Sequence, residues 1–273
     1  MSGILPETTG AAGFAGRVVL ITGGGGGIGS AAARRFTARG ARVVLADIDR
    51  ARGDAVARET GALFVPTDTS DLADNEKLVR AAVERFGGVD VVWLNAGVLA
   101  GSSLGDGFDR EAYRRLFASN VDSVVYGVQA ALPALRERGG GSIVVTASTT
   151  GLRPSPEVFY SASKHAVVGL VRSLGPVLAG DGITVNVLCP GAVDTPLVAE
   201  RLAAWRAAGV AVATPDQVVD AMEEVVRDGR TGQAWVVGPD TGVTPFAFAD
   251  LVVAGEHRLR FADGKVSSVP DGD

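Results

Sequence analysis

Short apolar runs alternate with longer stretches of helical periodicity along most of this 273-residue chain. The apolar runs are four to six residues long, are rich in Val, Ile and Leu, and lie at 17–22, 42–46, 62–65, 90–94, 142–146, 183–188 and 234–237. Runs that are apolar on both faces are typical of parallel strands buried between two layers of helices. Helical periodicity marks 28–39, 71–86, 109–136, 160–179 and 215–228. The alternation predicts an α/β protein that is doubly wound around a seven-stranded parallel sheet flanked by helices.

A single domain over 15–242 accounts for this alternation, since no linker, repeat or low-complexity tract interrupts it. Residues 1–14 are expected to form a flexible N-terminal lead. The alternation is lost after 242, so we expect 243–273 to form an irregular C-terminal tail.

The composition excludes several classes of function. The formal net charge is −5 and the pI is about 5.2, whereas nucleic-acid surfaces need clustered Lys and Arg. One cysteine and two histidines provide neither a metal-ligand spacing nor an internal disulfide. The N-terminus does not look like a secretion signal, and no apolar run approaches the ~18 residues of a membrane span. We therefore expect a cytoplasmic protein without metal, nucleic-acid partner or membrane association.

Five consecutive glycines, 23–27, separate the first apolar run from the first helical segment. A backbone without side chains at the start of a helix lets pyrophosphate oxygens approach the N–H groups, and the helix dipole favours anions there. Asp47 ends the second apolar run, 18 residues after Gly29. That is close to the ~20-residue spacing of the carboxylate that binds an adenosine ribose. The sequence therefore predicts a dinucleotide-binding, Rossmann-type domain.

Asp47 also predicts which dinucleotide binds. A carboxylate at this position would repel a 2′-phosphate, and a site for that phosphate would need Arg or Lys nearby. Ile48 follows Asp47, although Arg50 lies three residues further on. NAD(H) is therefore favoured over NADP(H).

The chain resembles the short-chain dehydrogenase/reductase family in several motifs that occur in the family's order. They are "TGGGGGIG" at 22–29, "NAG" at 95–97, Asn120, Ser148, "YSASK" at 160–164 and "PG" at 190–191. The resemblance covers roughly 15–240. The stretch from Thr214 to Asp240 further resembles the end of members related to 15-hydroxyprostaglandin dehydrogenase, which suggests a dimer and a lipid-like alcohol.

The resemblance implies a role for each matching residue. Tyr160 would be the general acid/base, Lys164 its activator and a ribose ligand, and Ser148 a hydrogen-bond donor to the substrate oxygen. Asn120 would hold a water that relays protons from Lys164. The expected cofactor contacts are Thr22, Gly23, Gly27, Ile28, Gly29, Asp47, Ile48, Asp68, Thr69, Asn95, Ala96, Gly97, Tyr160, Lys164, Pro190, Gly191, Val193 and Thr195.

The spacing of Tyr160 and Lys164 can also be judged on chemistry alone. A free tyrosine has a pKa near ~10 and is a poor base at neutral pH. Lowering that pKa to ~7 takes about 4 kcal/mol, which an ammonium roughly 4 Å away supplies at an effective dielectric constant of ~20. Residues i and i+4 share one face of a helix, so both side chains can reach the same site.

Two positions depart from the family pattern. Leu94 stands where the family usually has an additional Asn, although Asn95 remains. Ser148 and Tyr160 are 12 residues apart, where the family typically has 13. We expect a local adjustment at Leu94 and a connecting loop that is one residue shorter.

The segment at about 192–213 is where the resemblance places the substrate lid. Apolar residues in and near it predict a pocket for a hydrophobic secondary alcohol or ketone: Val98, Leu99, Phe159, Leu197 and Trp205. The helices at 109–136 and 160–179 would join subunits in a homodimer or homotetramer. Two alternatives to an NAD-dependent dehydrogenase remain, an NADPH-dependent biosynthetic ketoreductase and a dinucleotide-binding protein without catalysis.

Overall fold

The computed structural model describes residues 13–99 and 102–249 in full, and the backbone of strands at 252–254, 257–262 and 265–270. The strands are β1 (Val18–Thr22), β2 (Arg42–Asp47), β3 (Leu63–Pro66), β4 (Val91–Leu94), β5 (Gly141–Thr146), β6 (Ile183–Pro190), β7 (Ala192–Val193), β8 (Val212–Ala213), β9 (Ala234–Gly238), β10 (Gly242–Pro245), β11 (Val252–Ala254), β12 (His257–Ala262) and β13 (Lys265–Pro270). The helices are α1 (Gly27–Ala38), α2 (Arg50–Thr60), α3 (Leu72–Phe86), α4 (Arg110–Phe117), α5 (Ser123–Glu137), α6 (Val158–Leu178), α7 (Ala199–Ala207) and α8 (Pro215–Asp228).

The main sheet has the strand order β10-β9-β6-β5-β4-β1-β2-β3. Seven of these strands are parallel, which confirms the predicted doubly wound α/β fold. An eighth strand, β10, adds to the edge in antiparallel orientation. The chain turns back at 239–241, and Gly242, whose φ is +66°, begins β10 opposite Gly238 of β9. The chain leaves β1 for β2 on one side and returns to β4 on the other, so a crevice opens at the carboxyl ends of these strands.

Helices cover both faces of the sheet. One face packs against α3, α5 and α6, and the other packs against α1, α2 and α8. Val18 to Thr22 of β1 are all buried, as expected for a strand between two helical layers. No helix among the residues that the structure describes is long and apolar enough to cross a membrane.

Several helices begin and end where local chemistry favours it. Asp71 accepts a hydrogen bond from the Asp74 amide at 3.0 Å and begins α3. Thr214 and Gln217 form a reciprocal capping box at the start of α8. The sequence analysis did not identify α2 and α7. In α2 only Gly53 and Val56 are buried, and in α7 no residue is, so neither shows the periodicity of a half-buried helix.

The predicted helix 109–136 is three segments in the structure. A π-helical turn at Ala118–Asp122 joins α4 to α5. Such turns insert one residue into an α-helix and are frequent at functional sites. This one carries Asn120.

Both ends of the chain differ from the expectation. Residues 1–12 of the predicted flexible lead lie outside the described residues, but Phe14 is buried and stacks on Phe36 at 4.6 Å. The domain continues past 242 into β10. The tail expected to be irregular contains β11, β12 and β13, which form an antiparallel sheet. Its sequence signal is the Asp-Gly pair between two alternating runs, which is typical of hairpins.

Candidate active site

A cleft of about 1070 Å³ lies at the carboxyl ends of the parallel strands. It is continuous from the glycine loop to the lid segment. Most of the residues proposed from the sequence line it: Gly23, Gly27, Ile28, Asp47, Ile48, Asp68, Thr69, Asn95, Ala96, Gly97, Val98, Leu99, Ser148, Tyr160, Lys164, Pro190, Gly191, Val193, Thr195, Leu197 and Trp205. Thr22, Gly29, Asn120 and Phe159 do not line this cleft.

The glycine loop forms a cradle that side chains would fill. Gly23 has a φ of +68°, and a Cβ there would lie 3.1 Å from the Ala96 Cα. A Cβ on Gly27 would lie 2.7 Å from the Thr195 Cγ2, and one on Gly29 would collide with the Gly23 carbonyl. The loop therefore needs glycine for close packing of its own backbone, and it leaves the N-terminus of α1 bare toward the cleft. A pyrophosphate group fits such a cradle.

Asp47 ends β2 and holds its carboxylate against the same loop. Its Oδ2 accepts from the Gly25 amide at 2.9 Å, and its Oδ1 accepts from the Asp49 amide at 2.8 Å. A carboxylate offers about four acceptor positions, so each oxygen keeps capacity for a ribose hydroxyl. Ile48, with 74% of its surface exposed, forms the neighbouring apolar wall. The structure places Arg52, not Arg50, in the cleft, and Arg52 pairs with Asp49 at 3.2 Å.

Thr22 and Asn95 connect β1 to β4 beneath the cofactor end of the cleft. The Thr22 hydroxyl accepts from the amides of Asn95 at 2.9 Å and Ala96 at 3.0 Å. The Thr146 hydroxyl donates to the Asn95 Oδ1 at 3.1 Å and accepts from the Trp93 indole at 2.9 Å. Thr22 acts from behind the cleft wall, which explains why a predicted cofactor residue does not line it. These bonds fix the loop that carries Asn95, Ala96 and Gly97.

Leu94 fits this arrangement without disturbing it. It is buried at the end of β4 and packs toward α5, where a Cβ on Gly127 would approach its Cδ2 to 2.5 Å. The position is therefore apolar because it faces the helix layer. Asn95 keeps its polar contacts, as expected.

Lys164 is buried and Tyr160 is half-buried beside the cleft, one helical turn apart on α6. The Lys164 ammonium donates to the Thr146 carbonyl at 3.1 Å and lies 5.6 Å from the centroid of the Tyr160 ring. Burial lowers the pKa of Lys164 to about 8 and raises the pKa of Tyr160 to about 12. The expected lowering of the Tyr160 pKa is therefore absent in this structure. The physical reason is that burial penalises the phenolate and that Lys164 is directed to a carbonyl.

Ser148 faces Tyr160 despite the shortened spacing between them. The Ser148 hydroxyl acts against the effect of burial and holds the pKa of Tyr160 lower than burial alone would. After Ser148 the chain forms a 3₁₀ turn at Thr149–Gly151 that packs on α6. A Cβ on Gly151 would lie 2.7 Å from the Lys164 carbonyl oxygen. Gly151 thus lets the shorter loop lie directly on α6, and this residue was not identified from the sequence.

Asn120 lies behind the cleft wall, on the π-helical turn. Its Oδ1 accepts from the Val98 amide at 2.8 Å, and its Nδ2 donates to the Val98 carbonyl at 3.1 Å and to the Ser163 hydroxyl at 3.2 Å. A Cβ on Gly97 would lie 3.1 Å from the Asn120 Oδ1 and 3.4 Å from the Lys164 Nζ. Asn120 therefore links the 95–98 loop to α6. Its amide and the Lys164 ammonium both lie beside Gly97.

The substrate end is apolar in part. Val98, Leu99, Leu197 and Trp205 line the cleft there. Phe159 does not, because its ring packs edge-on against Phe108 and Tyr113 at 5.9 and 5.0 Å and lines a smaller cavity of about 240 Å³ instead.

Polar residues that the sequence analysis did not identify complete this end. Arg153, Glu157 and Arg201 line the cleft, and Glu157 pairs with Arg201. The Thr150 hydroxyl is buried at the cleft wall and has no hydrogen-bond partner among the described residues. Glu157 precedes Tyr160 by nearly one helical turn, a spacing that could have placed it near the site.

Comparison with known proteins identifies the family. The model of the short chain dehydrogenase family matches residues 17–206. Meso-2,3-butanediol dehydrogenase of Serratia marcescens is 38% identical over 79% of this chain and 89% of its own length. Levodione reductase of Leifsonia aquatica is 37% identical over 68% of this chain and 72% of its own. The structure of a 3-ketoacyl-(acyl-carrier-protein) reductase from Brucella melitensis in complex with NADH has a TM-score of 0.77 and 34% identity, covering 82% of this chain and 97% of that one.

The family match spans every strand from β1 to β7, and it includes Ser148, Tyr160 and Lys164 at one end of the cleft and the glycine loop at the other. Members of this family are oxidoreductases that bind a nicotinamide dinucleotide and act on alcohol or ketone groups. With the doubly wound sheet and the matching order of motifs, the chain belongs to the short-chain dehydrogenase family.

Proposed function

We propose that this protein transfers a hydride between NAD(H) and a hydrophobic secondary alcohol or ketone, with Tyr160 as the general acid/base. One observation carries the proposal. A single continuous cleft holds the glycine loop and Asp47 at one end and Ser148, Tyr160 and Lys164 at the other. A dinucleotide bound along this cleft would reach from a ribose-binding carboxylate to a proton-transfer group.

The residues of the cofactor end fit the dinucleotide. The bare N-terminus of α1 would hold the pyrophosphate, Asp47 the adenosine ribose, and Asp68 the adenine. Lys164 would hold the second ribose, while Pro190, Gly191 and Thr195 would flank the nicotinamide. When bound, the nicotinamide ring supplies or accepts the hydride at the substrate carbon.

The chain's own residues handle the proton and the substrate oxygen. Ser148 would donate a hydrogen bond to that oxygen, and the Tyr160 hydroxyl would exchange a proton with it. With its pKa raised to about 12, Tyr160 is protonated at neutral pH and acts as a proton donor, the role that ketone reduction requires. Alcohol oxidation requires a phenolate, so we expect it to be favoured at alkaline pH.

NAD(H) is preferred in this proposal because Asp47 would repel a 2′-phosphate. Arg52 supports the alternative, an NADPH-dependent ketoreductase, because a guanidinium in the cleft could bind that phosphate. Arg52 is paired with Asp49, which reduces its availability. The non-catalytic alternative requires no proton donor and gives no reason for burying the Lys164 cation, which is costly.

Fluorescence titration with NADH and with NADPH tests the cofactor. We expect tighter binding of NADH, with the preference reduced in Asp47→Ala. Tighter NADPH binding that is lost in Arg52→Gln would support the ketoreductase instead. If neither binds, the proposal fails.

Turnover of hydrophobic ketones and alcohols by Tyr160→Phe tests the proton donor. We expect unchanged NADH binding and turnover reduced by about 10²–10⁴-fold, the range for loss of a general acid. Tyr126→Phe, a tyrosine of α5 away from the cleft, is the matched control and should retain turnover. Wild-type turnover in Tyr160→Phe would refute the assigned role.

Three further expectations stay predictions: the resemblance to 15-hydroxyprostaglandin dehydrogenase-type members, location in the cytoplasm, and assembly as a homodimer or homotetramer. Val125 on α5 and Val177 on α6, which are 42% and 56% exposed, would offer apolar surface to such a contact. Light scattering after size-exclusion chromatography measures the assembly.

A further inference from the structure

Glu157 and Arg201 form an ion pair at the substrate end of the cleft. Glu157 occupies the N-cap position of α6, and Arg201 lies on α7 in the lid segment. An N-cap side chain commonly accepts a hydrogen bond from its own helix, but Glu157 makes none. Its carboxylate instead contacts Arg201, so that the ion pair connects α6 to α7.

The pair lies between two cavities. Both residues line the main cleft of about 1070 Å³ and the smaller cavity of about 240 Å³. Tyr160 and Leu99 border the same two cavities. The ion pair therefore borders both spaces that are open to the rest of a substrate whose oxygen meets Tyr160.

The side chains remain accessible from the cleft, since 45% of the Arg201 side chain and 32% of the Glu157 side chain are exposed. The guanidinium is a planar donor that suits a carboxylate, and Glu157 now supplies that carboxylate. A substrate carboxylate would have to displace Glu157 and would be repelled by it. An uncharged substrate meets neither obstacle.

We propose that the Glu157–Arg201 pair determines which substrate charge the site accepts. With the pair intact, the site selects uncharged alcohols and ketones, and without Glu157 the free Arg201 would bind a substrate carboxylate. The proposal rests on the proposed function, because it assigns the substrate class of the same site. It predicts that one substitution at Glu157 turns the selection toward anionic substrates.

The lid provides a matched control. Arg206, also on α7, pairs with Asp194 at 2.6 Å, with 58% and 47% of their side chains exposed. Neither residue lines the two cavities. Asp194→Asn therefore removes a lid ion pair of similar exposure without changing charge inside the substrate site. This variant distinguishes an effect of a loosened lid from a change in substrate selectivity.

Calorimetric titration with acetophenone, 4-acetylbenzoate and 3-acetylbenzoate tests the proposal. These ketones differ only in a carboxylate and its position. Protein saturated with NAD⁺ is used, so that no reduction can follow binding. The ratio of the carboxylate affinity to the acetophenone affinity is compared across variants, because this ratio cancels any effect of Glu157 on Tyr160.

We expect Glu157→Gln to raise that ratio about tenfold or more for at least one isomer. A tenfold gain corresponds to the lower end of the range for the net contribution of a hydrogen bond to a charged group. Arg201→Gln and the double variant should show no such gain, and Asp194→Asn should keep the wild-type ratio. A ratio in Glu157→Gln within twofold of wild type overturns the proposal. So does a failure of Glu157→Gln to bind either acetylbenzoate, or an equal gain in Asp194→Asn. Failure of the wild-type protein to bind NAD⁺, measured first, would instead contradict the proposed function.

Discussion

Lys164, on α6, is a cation with only 3% of its surface exposed. Its ammonium has the Thr146 carbonyl as a partner but no carboxylate within ion-pair distance among the described residues. Because burial lowers its pKa to about 8, the folded protein holds the Lys164 proton more weakly than the unfolded chain does. The charge destabilises the fold below pH 8, and this cost is relieved as the pH rises from about 8 toward 10.5.

The first prediction concerns Lys164→Met, which removes this titration. Relative to the variant, we expect the wild type to gain about 2 kcal/mol of unfolding free energy between pH 7 and pH 9.5. Chemical denaturation at several pH values measures it. Lys77→Met, at an exposed position of α3, should show no such pH-dependent difference. A constant difference between wild type and Lys164→Met would mean that Lys164 titrates normally.

A second prediction concerns Gly151, which allows the 3₁₀ turn to lie on Lys164. In Gly151→Ala the new Cβ must move the turn or α6, since it would lie 2.7 Å from the Lys164 carbonyl oxygen and 3.1 Å from its Cβ. Overpacking of this kind costs about 1–3 kcal/mol, and we expect catalytic efficiency to fall along with stability.

Gly169→Ala is the control within α6, because its added Cβ would have no atom within 4 Å beyond its chain neighbours and the backbone of its own helix. It should stabilise the protein by about 0.5–1 kcal/mol through helix propensity. Thermal unfolding and steady-state kinetics of both variants measure these effects. Equal effects at the two positions would refute the packing role of Gly151.

The motifs predicted Ser148, Tyr160 and Lys164 at one site, and the structure brings them together. The protonation states of Tyr160 and Lys164 could not be predicted, since they depend on the depth of burial and on the direction of the ammonium. Arg201 was not predicted as a site residue, for a related reason. It lies 44 positions from Glu157 in the chain, and no short-range sequence pattern encodes such a contact.

At the scale of elements, α1 and α8 are joined by ion pairs of unequal exposure. Arg35 pairs with Asp216 at 2.8 Å and with Asp220, while Arg39 pairs with Glu223 at 2.6 Å. Only 6% of the Glu223 side chain is exposed; its Oε2 contacts Arg39, and its Oε1 has no hydrogen-bond partner among the described residues. Glu223 therefore depends on Arg39 for compensation of its charge.

The third prediction is that Arg39→Gln destabilises the protein by about 1–3 kcal/mol, because it leaves the Glu223 carboxylate buried without its cation. Arg34→Gln breaks the exposed pair with Glu59, which lies on α2, and should cause no measurable loss. Urea denaturation measures both. The double variant Arg39→Gln/Glu223→Gln should recover part of the loss, and no recovery would contradict the electrostatic explanation.

Elements with a buried periodic face were predicted to within a few residues, as for α3, predicted at 71–86 and found at Leu72–Phe86. The helix α2 was missed because its stability rests on capping by Asp49 and on packing of Gly53 against Phe64, not on an apolar stripe. The π-helical turn at Ala118–Asp122 has no pattern of its own, since one extra residue leaves local composition unchanged.

At the scale of the molecule, the strand order places the cofactor end and the catalytic end of the cleft on one edge of the sheet. The alternation of buried strands and helices predicted this doubly wound topology from the sequence. The antiparallel β10 could not be predicted in the same way, because a four-residue edge strand with mostly exposed residues lacks the apolar signal. The cleft depends on the parallel strands and not on this edge.

The fourth prediction follows from a cleft that spans the sheet. NADH should stabilise the whole domain, by about 2.7 kcal/mol at a concentration 100 times its dissociation constant. For a domain of this size we expect a rise in Tm of roughly 5–10 °C, and a smaller rise with NADPH at the same concentration.

Scanning calorimetry of Asp47→Ala should show the difference between the two cofactors reduced. Asp54→Asn, an exposed position on α2, controls for the change in net charge and should keep the difference. A larger rise with NADPH in the wild type would reverse the assignment of the cofactor.

The positions of the three tryptophans give the protein an optical reporter of its own. Trp93 and Trp235 are buried in the core, and only Trp205, half-buried on α7, borders the cleft. Two of the emitters are thus shielded from solvent, and from a quencher dissolved in it. Changes in quenching by acrylamide should arise from the third, so that occupancy of the substrate end can be followed in unlabelled protein, and Trp205→Phe should remove the signal.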